Sequence, residues 1–62
     1  MVGQKIKALR EARALSQEDL AKLVGVNHAT IYRIENGKSK PHGITLRAIA
    51  KALKVNVEEL AE

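Results

Sequence analysis

Residues Ser16–Pro41 read SQEDLAKLVGVNHATIYRIENGKSKP, and the fold is decided within this run. Ser16 is a good N-cap with Asp19 three positions later, close to capping-box spacing, so a helix opens at Gln17. Leu20 and Val24 form its inner face, and Gly25 stops it. Asn27 is a second N-cap, opening a helix that continues to Asn36, with Gly37 as its left-handed stop. Only Gly25, Val26 and Asn27 separate the two helices, too few for an antiparallel hairpin with long arms. A short turn with glycine at the bend gives a steep helix-turn-helix crossing instead. Ala21 lies where the helices cross, and its small side chain permits close approach. Leu20, Val24, Val26, Ile31 and Ile34 then seal the pair against the rest of the chain.

Working outward, helical periodicity predicts a first helix over residues 3–13, with Ile6 and Leu9 on its inner face. Beyond Gly37, residues 38–43 make a basic loop containing Lys38 and Lys40. A fourth helix covers residues 44–53, turning Leu46, Ile49, Ala50 and Leu53 inward, and Asn56 and Glu59 frame a short fifth helix ending at Leu60. No stretch alternates with period two for long enough to make a strand. The expected architecture is all-α, a compact five-helix domain over residues 1–62. At 62 residues there is room for one modest core. With 45% hydrophobic but only 2% aromatic residues, that core is aliphatic. The absence of cysteine excludes disulfides and thiolate metal frameworks and fits a reducing compartment. No signal-peptide pattern and no apolar run of membrane-spanning length is present, so a cytoplasmic protein without a membrane partner is expected.

The net charge of +4 points to a polyanionic partner. The third helix makes that partner more specific. Helical spacing gathers His28, Ala29, Tyr32, Arg33 and Asn36 into one stripe, while Ile31, Ile34 and Glu35 point the other way. The stripe holds a small residue, two planar polar rings, a guanidinium and an amide, but no acid. An ordinary solvated face would mix both signs. This one suits the DNA major groove, where arginine grips guanine and small or aromatic groups meet thymine methyls.

Ser16–Pro41, together with TLRAIAKALKVNVEEL at Thr45–Leu60, resembles the phage lambda-type repressor and Cro helix-turn-helix family, often called Xre. The markers are Gln17, Leu20, Ala21, Gly25, Ile31, Ile34 and the triplet Glu35-Asn36-Gly37. The resemblance implies a five-helix bundle that binds an operator as a dimer and regulates transcription. It implies base reading by His28, Ala29, Tyr32 and Arg33 with Asn27 at the rim, and phosphate contacts from Gln17, Asn36, Lys38 and Lys40. The segment His42-Gly43-Ile44 departs from the family pattern, which usually has a better N-cap there.

Arg10 is four residues beyond Ile6, and Glu35 is four beyond Ile31, so both charges lean inward. Such charges are costly unless they meet. The family has a matching bridge, and a structural ion pair between Arg10 and Glu35 is expected. Enzymatic chemistry is not: there is no cysteine nucleophile, no phosphate-binding glycine loop after a strand, and no acidic cluster beside His28 or His42 for a metal. No catalytic residue, metal or cofactor is assigned. The leading expectation is a repressor rather than an activator, a homodimer that is weak when free, with Val55, Val57 and Leu60 as dimer contacts. The rival is a protein-interaction module of antitoxin type, which would leave an apolar surface exposed around Val57 and Leu60.

Overall fold

In the computed structural model, which describes residues 2–60, five helices follow in chain order with no strand among them. They are α1 (Val2–Ala12), α2 (Gln17–Val24), α3 (His28–Glu35), α4 (Gly43–Leu53) and α5 (Val57–Leu60). Local hydrogen bonding sets most of their limits. Ser16 and Asp19 form a complete capping box: the Asp19 N–H donates to Ser16 Oγ at 2.9 Å, and the Ser16 N–H donates to Asp19 Oδ2 at 2.9 Å. The bond from the Ser16 backbone holds the Asp19 carboxyl below its ordinary value. Gly25 ends α2 with φ +82°, a left-handed conformation that glycine adopts without a Cβ penalty. The Gly25 and Val26 N–H groups then both donate to the Ala21 carbonyl. Asn27 caps α3 by accepting the Ala29 N–H at 2.8 Å.

Two boundaries differ from the periodic reading. Helix α1 starts and ends one residue early, and its end is set by Ala14, which is left-handed (φ 56°) and turns the chain out of the helix. Helix α4 begins at Gly43, where His42 serves as N-cap without a side-chain hydrogen bond. The His42 carbonyl accepts the Leu46 N–H at 2.8 Å, so the first turn closes through backbone alone.

Every helix contributes to one aliphatic core. Ile6, Leu20, Ile31, Ile49, Leu53 and Leu60 are fully buried, each stabilising the fold by roughly 1.5–3 kcal/mol. Ala21 is buried at the α2–α3 crossing. Leu9, Val24, Val26, Leu46, Val55 and Val57 are partly buried around this centre. The burial of Leu60 corrects its assignment as a dimer contact. Its side chain fills the domain's own core and offers no surface to a second copy.

Gly3 is a further fixed point. A Cβ there would overlap the Ile34 carbonyl oxygen and press on the Glu35 carbonyl. The first turn of α1 therefore rests directly on the last carbonyls of α3, and the partial charges of the two helix ends are opposite in sign.

Ala14 gives the first prediction. A non-glycine residue in the left-handed region costs about 1–2 kcal/mol, partly offset in glycine by its greater unfolded-state entropy. Ala14→Gly should raise stability by about 0.5–1 kcal/mol and the Tm by a few degrees. Gly3→Ala should lower it, and thermal melts of both variants give the two signs. A lower Tm for Ala14→Gly would show that the Ala14 Cβ contributes more than its backbone costs.

Candidate nucleic-acid interface

The amphipathicity of α3 builds the surface. Ile31 and Ile34 are buried, and Glu35 follows them inward at 5% exposure. His28, Tyr32, Arg33 and Asn36 are exposed on the opposite side, with Ala29 half-buried between them and Asn27 exposed at the leading rim. Because α3's one carboxylate is buried, its exposed face carries no negative side chain. Tyr32 is 47% exposed, an unusually open position for an aromatic side chain.

The Glu35 carboxylate accepts three hydrogen bonds from two side chains. Arg10 Nε donates to Oε2 at 2.7 Å and Arg10 Nη2 to Oε1 at 3.0 Å, a bidentate pairing. Arg10 Nη1 donates to the Leu15 carbonyl at 2.7 Å. Gln17 Nε2 donates to Glu35 Oε1 at 3.1 Å. No buried side-chain nitrogen or oxygen among the described residues lacks a partner. The hydrogen bond to Glu35 raises the Arg10 guanidinium above its ordinary value, with burial acting the other way. The Arg10–Glu35 pair inferred from helix faces is thus present. It is joined by Gln17, whose amide nitrogen is turned toward Glu35.

The chain beyond α3 stays close to it. Gly37 is left-handed (φ 73°), and the Lys38 N–H donates back to the Arg33 carbonyl at 2.8 Å. Asn36 Nδ2 donates to the Tyr32 carbonyl at 2.8 Å. These bonds hold Asn36 and Lys38 at the end of α3, while Lys40 is exposed in the loop that follows. Gln17 is half-buried at the first turn of α2. Sequence reading missed two residues at this edge, Gln4 and Lys7, which share a polar groove with Gln17, Tyr32, Glu35 and Asn36. Lys7 lies four residues after Gly3 and three before Arg10. Helical spacing alone places it on the side of α1 that meets α3.

A short glycine turn joining two crossed helices, the second with an exposed cationic face, defines a helix-turn-helix domain. The chain belongs to the helix-turn-helix family HTH_3, whose family model matches residues 6–60, and its fold is lambda-repressor-like. The HTH-type transcriptional repressor RghR of Bacillus subtilis (strain 168) is 46% identical over 59 residues, 94% of this chain and 44% of RghR. The P22 c2 repressor protein, solved in complex with a synthetic operator, is similar with TM-score 0.93 and 33% identity, covering 97% of this chain and 91% of that chain. SinR, described as the master regulator for biofilm formation and solved in complex with DNA, is similar with TM-score 0.94 and 30% identity, covering 100% of both chains. The chain spans less than half the length of the curated relatives it matches first, 44% of RghR and 42% of RghRB.

The buried pair generates the second prediction. Removing one partner leaves an unpaired buried charge, at a cost of about 3–5 kcal/mol. In a domain this small that approaches the whole stability. Arg10→Met or Glu35→Leu alone should be severely destabilising and the double variant much less so. Melts of the three variants measure the coupling, and additive losses would mean that the pair contributes nothing as a pair.

Proposed function

We propose that the chain is a sequence-specific double-stranded-DNA-binding domain of a transcriptional regulator, acting as a repressor by occupying promoter DNA. The observation that supports this most directly is the outer face of α3. There Arg33, His28, Tyr32 and Asn36 are exposed, and the helix's one acid is buried against Arg10. In this reading α3 enters the major groove. Arg33 reads guanine, and His28, Ala29 and Tyr32, with Asn27 at the rim, meet neighbouring base edges. Gln17, Asn36, Lys38 and Lys40 hold the sugar-phosphate backbone. The P22 c2 repressor and SinR, both similar over nearly the whole chain, were solved in complex with DNA, which supports DNA as the partner in this reading.

A homodimer on a pseudo-palindromic operator belongs to the same proposal. The longest dimension of the fold is 24 Å, so one copy meets only one half-site of a pair set roughly 34 Å apart. Val55 and Val57 are only partly buried and remain the candidate contacts. The burial of Leu60 also weakens the rival interaction-module reading, because it removes the larger apolar group from the proposed α5 surface. Val57→Asp should weaken operator binding by a factor beyond any change in its Tm. Sedimentation should show mostly monomer for the free wild-type protein at micromolar concentration and a two-to-one complex on a palindrome. A full-affinity one-to-one complex would exclude the symmetric arrangement.

The division between reading and holding is tested at Arg33 and Lys38. With about four to six phosphate contacts per domain, affinity should fall with salt at a log–log slope of roughly −4 to −5. Arg33→Ala should cost about 1–3 kcal/mol on the cognate operator and relax preference at one base pair per half-site. Lys38→Ala should weaken cognate and scrambled duplexes equally and reduce the slope by roughly one contact per domain. Equal losses on both duplexes for Arg33→Ala would reassign Arg33 to phosphate, and a flat salt response of the wild type would remove DNA as the partner.

A further inference from the structure

The asparagines of the sequence are Asn27, Asn36 and Asn56, and the residues that follow them are His28, Gly37 and Val57. Asparagine is thermolabile because the backbone nitrogen of the next residue can attack its side-chain carbonyl carbon. Glycine, with no Cβ, leaves that nitrogen the least hindered and the chain the most free to turn. Asn36-Gly37 is therefore the reactive pair, and the Asn36 side chain is exposed to water. The fold nevertheless holds the pair out of reaction geometry. Asn36 sits at φ −92° and ψ 6°, whereas closing a cyclic imide needs the Gly37 nitrogen swung round toward the Asn36 side chain. Hydrogen bonds on all sides resist that swing. The Gly37 N–H donates to the Ile34 carbonyl at 3.2 Å, and the Lys38 N–H donates to the Arg33 carbonyl at 2.8 Å. Asn36 Nδ2 donates to the Tyr32 carbonyl at 2.8 Å. Glu35, the residue before, is buried and held by Arg10 and Gln17, so α3 cannot unwind past it without breaking the ion pair. The pair is reactive by sequence and shut by structure.

We propose that Asn36-Gly37 is a self-modification site, a hydrolytic deamidation switch that the folded end of α3 keeps closed and that opening of this end releases. In the first step the Gly37 nitrogen bonds to Asn36 Cγ, the Cγ–Nδ2 bond breaks, and ammonia leaves with the proton that Gly37 gave up. Water then opens the imide at either carbonyl, restores the Gly37 N–H and leaves aspartate or isoaspartate at position 36. Both products are negatively charged. The new carboxylate stands on the face whose own acid the fold has buried, and it cannot donate to the Tyr32 carbonyl as Nδ2 does. Isoaspartate also adds a methylene to the main chain just ahead of the left-handed turn at Gly37. The change is irreversible and sets a negative charge against a polyanionic partner. Its effect on binding rests on the DNA-binding reading above, while its chemistry does not.

The experiment holds the protein at mildly alkaline pH in buffer and in guanidinium chloride. Peptide mapping by mass spectrometry follows the gain of one dalton at each asparagine, and an isoaspartate assay identifies the product. In denaturant Asn36 should be modified well ahead of Asn27 and Asn56. In buffer its rate should be at least about tenfold lower, because only the opened state reacts. The modified protein, separated by ion exchange and refolded, is then compared with Asn36→Asp and Asn36→Ala on a scrambled duplex and on the selected operator, with thermal melts of each. Asn36→Ala removes the amide without adding charge. The modified form and Asn36→Asp should both fall about three- to tenfold below Asn36→Ala in affinity at low salt, by a factor beyond any change in Tm. Equal rates in buffer and denaturant, or no preference for Asn36 in denaturant, would overturn the closed switch. If the wild type binds with a steep salt slope and the charged forms lose no more than Asn36→Ala, the switch is overturned and DNA binding stands. If the wild type shows no salt-dependent duplex binding, the DNA-binding reading fails and the switch loses its effect, while the mass measurements still decide the chemistry.

Discussion

The bidentate contact between Arg10 and Glu35 is the constraint on which the rest of the molecule depends. Two charges withdrawn from water stabilise a fold only if their remaining hydrogen-bonding capacity is met, and here it is. The Arg10 guanidinium reaches the Leu15 carbonyl as well as Glu35, and Glu35 also accepts from Gln17. The network ties the end of α1, the loop after it, the start of α2 and the end of α3 to one point. Ile31 and Ile34 already turn this side of α3 into the core, and a carboxylate held at two oxygens adds a directional contact on the same side.

That orientation of α3 has an electrostatic consequence. Helix α3 carries one acid and one arginine. Turning Glu35 inward removes the negative charge from the exposed side and leaves Arg33 there without a competing carboxylate. The same inward turn orients Gln17 through an acceptor-only partner. One buried residue thus sets both the sign of the outer face and the direction of an amide at its edge. The caps and turns act with it. Gly25 and Gly37, both left-handed, stop α2 and bend the chain after α3, and Asn27 opens α3 so that His28 stands in its first turn.

Helix α1 does more than close the core. Gly3, Lys7 and Arg10 recur at helical spacing along one side of it, and each meets the α2–α3 unit in its own way. Gly3 rests on backbone, Arg10 enters the buried pair, and Lys7 stays at the solvent edge of the shared groove. A side chain at residue 3 would push the first turn of α1 off the α3 carbonyls and open that groove.

Much of this was legible along the chain, because the signals are local. Ser16 with Asp19, Gly25, Asn27 and Gly37 mark helix ends through bonds spanning two to five residues. Period-3.6 spacing separates Ile31, Ile34 and Glu35 from His28, Tyr32 and Arg33 whatever α3 packs against. Even the Arg10–Glu35 pair followed from two inward-leaning charges that needed each other. Other features depend on where separate helices meet. Leu60 resembles an exposed apolar end of a short helix until α5 folds back and the core absorbs it. Ala14 carries no sequence signal for a left-handed turn, since only the path from α1 to α2 demands one. The groove joining Gln4 and Lys7 to Gln17 and Asn36 arises from the depth at which α1 sits on α3. The sequence by itself determined the helices, their caps and the polarity of each face, because those follow from neighbours along the chain. Tertiary structure alone decided which faces close on one another and which polar atoms share a partner, because those distances are set by packing between residues far apart in sequence.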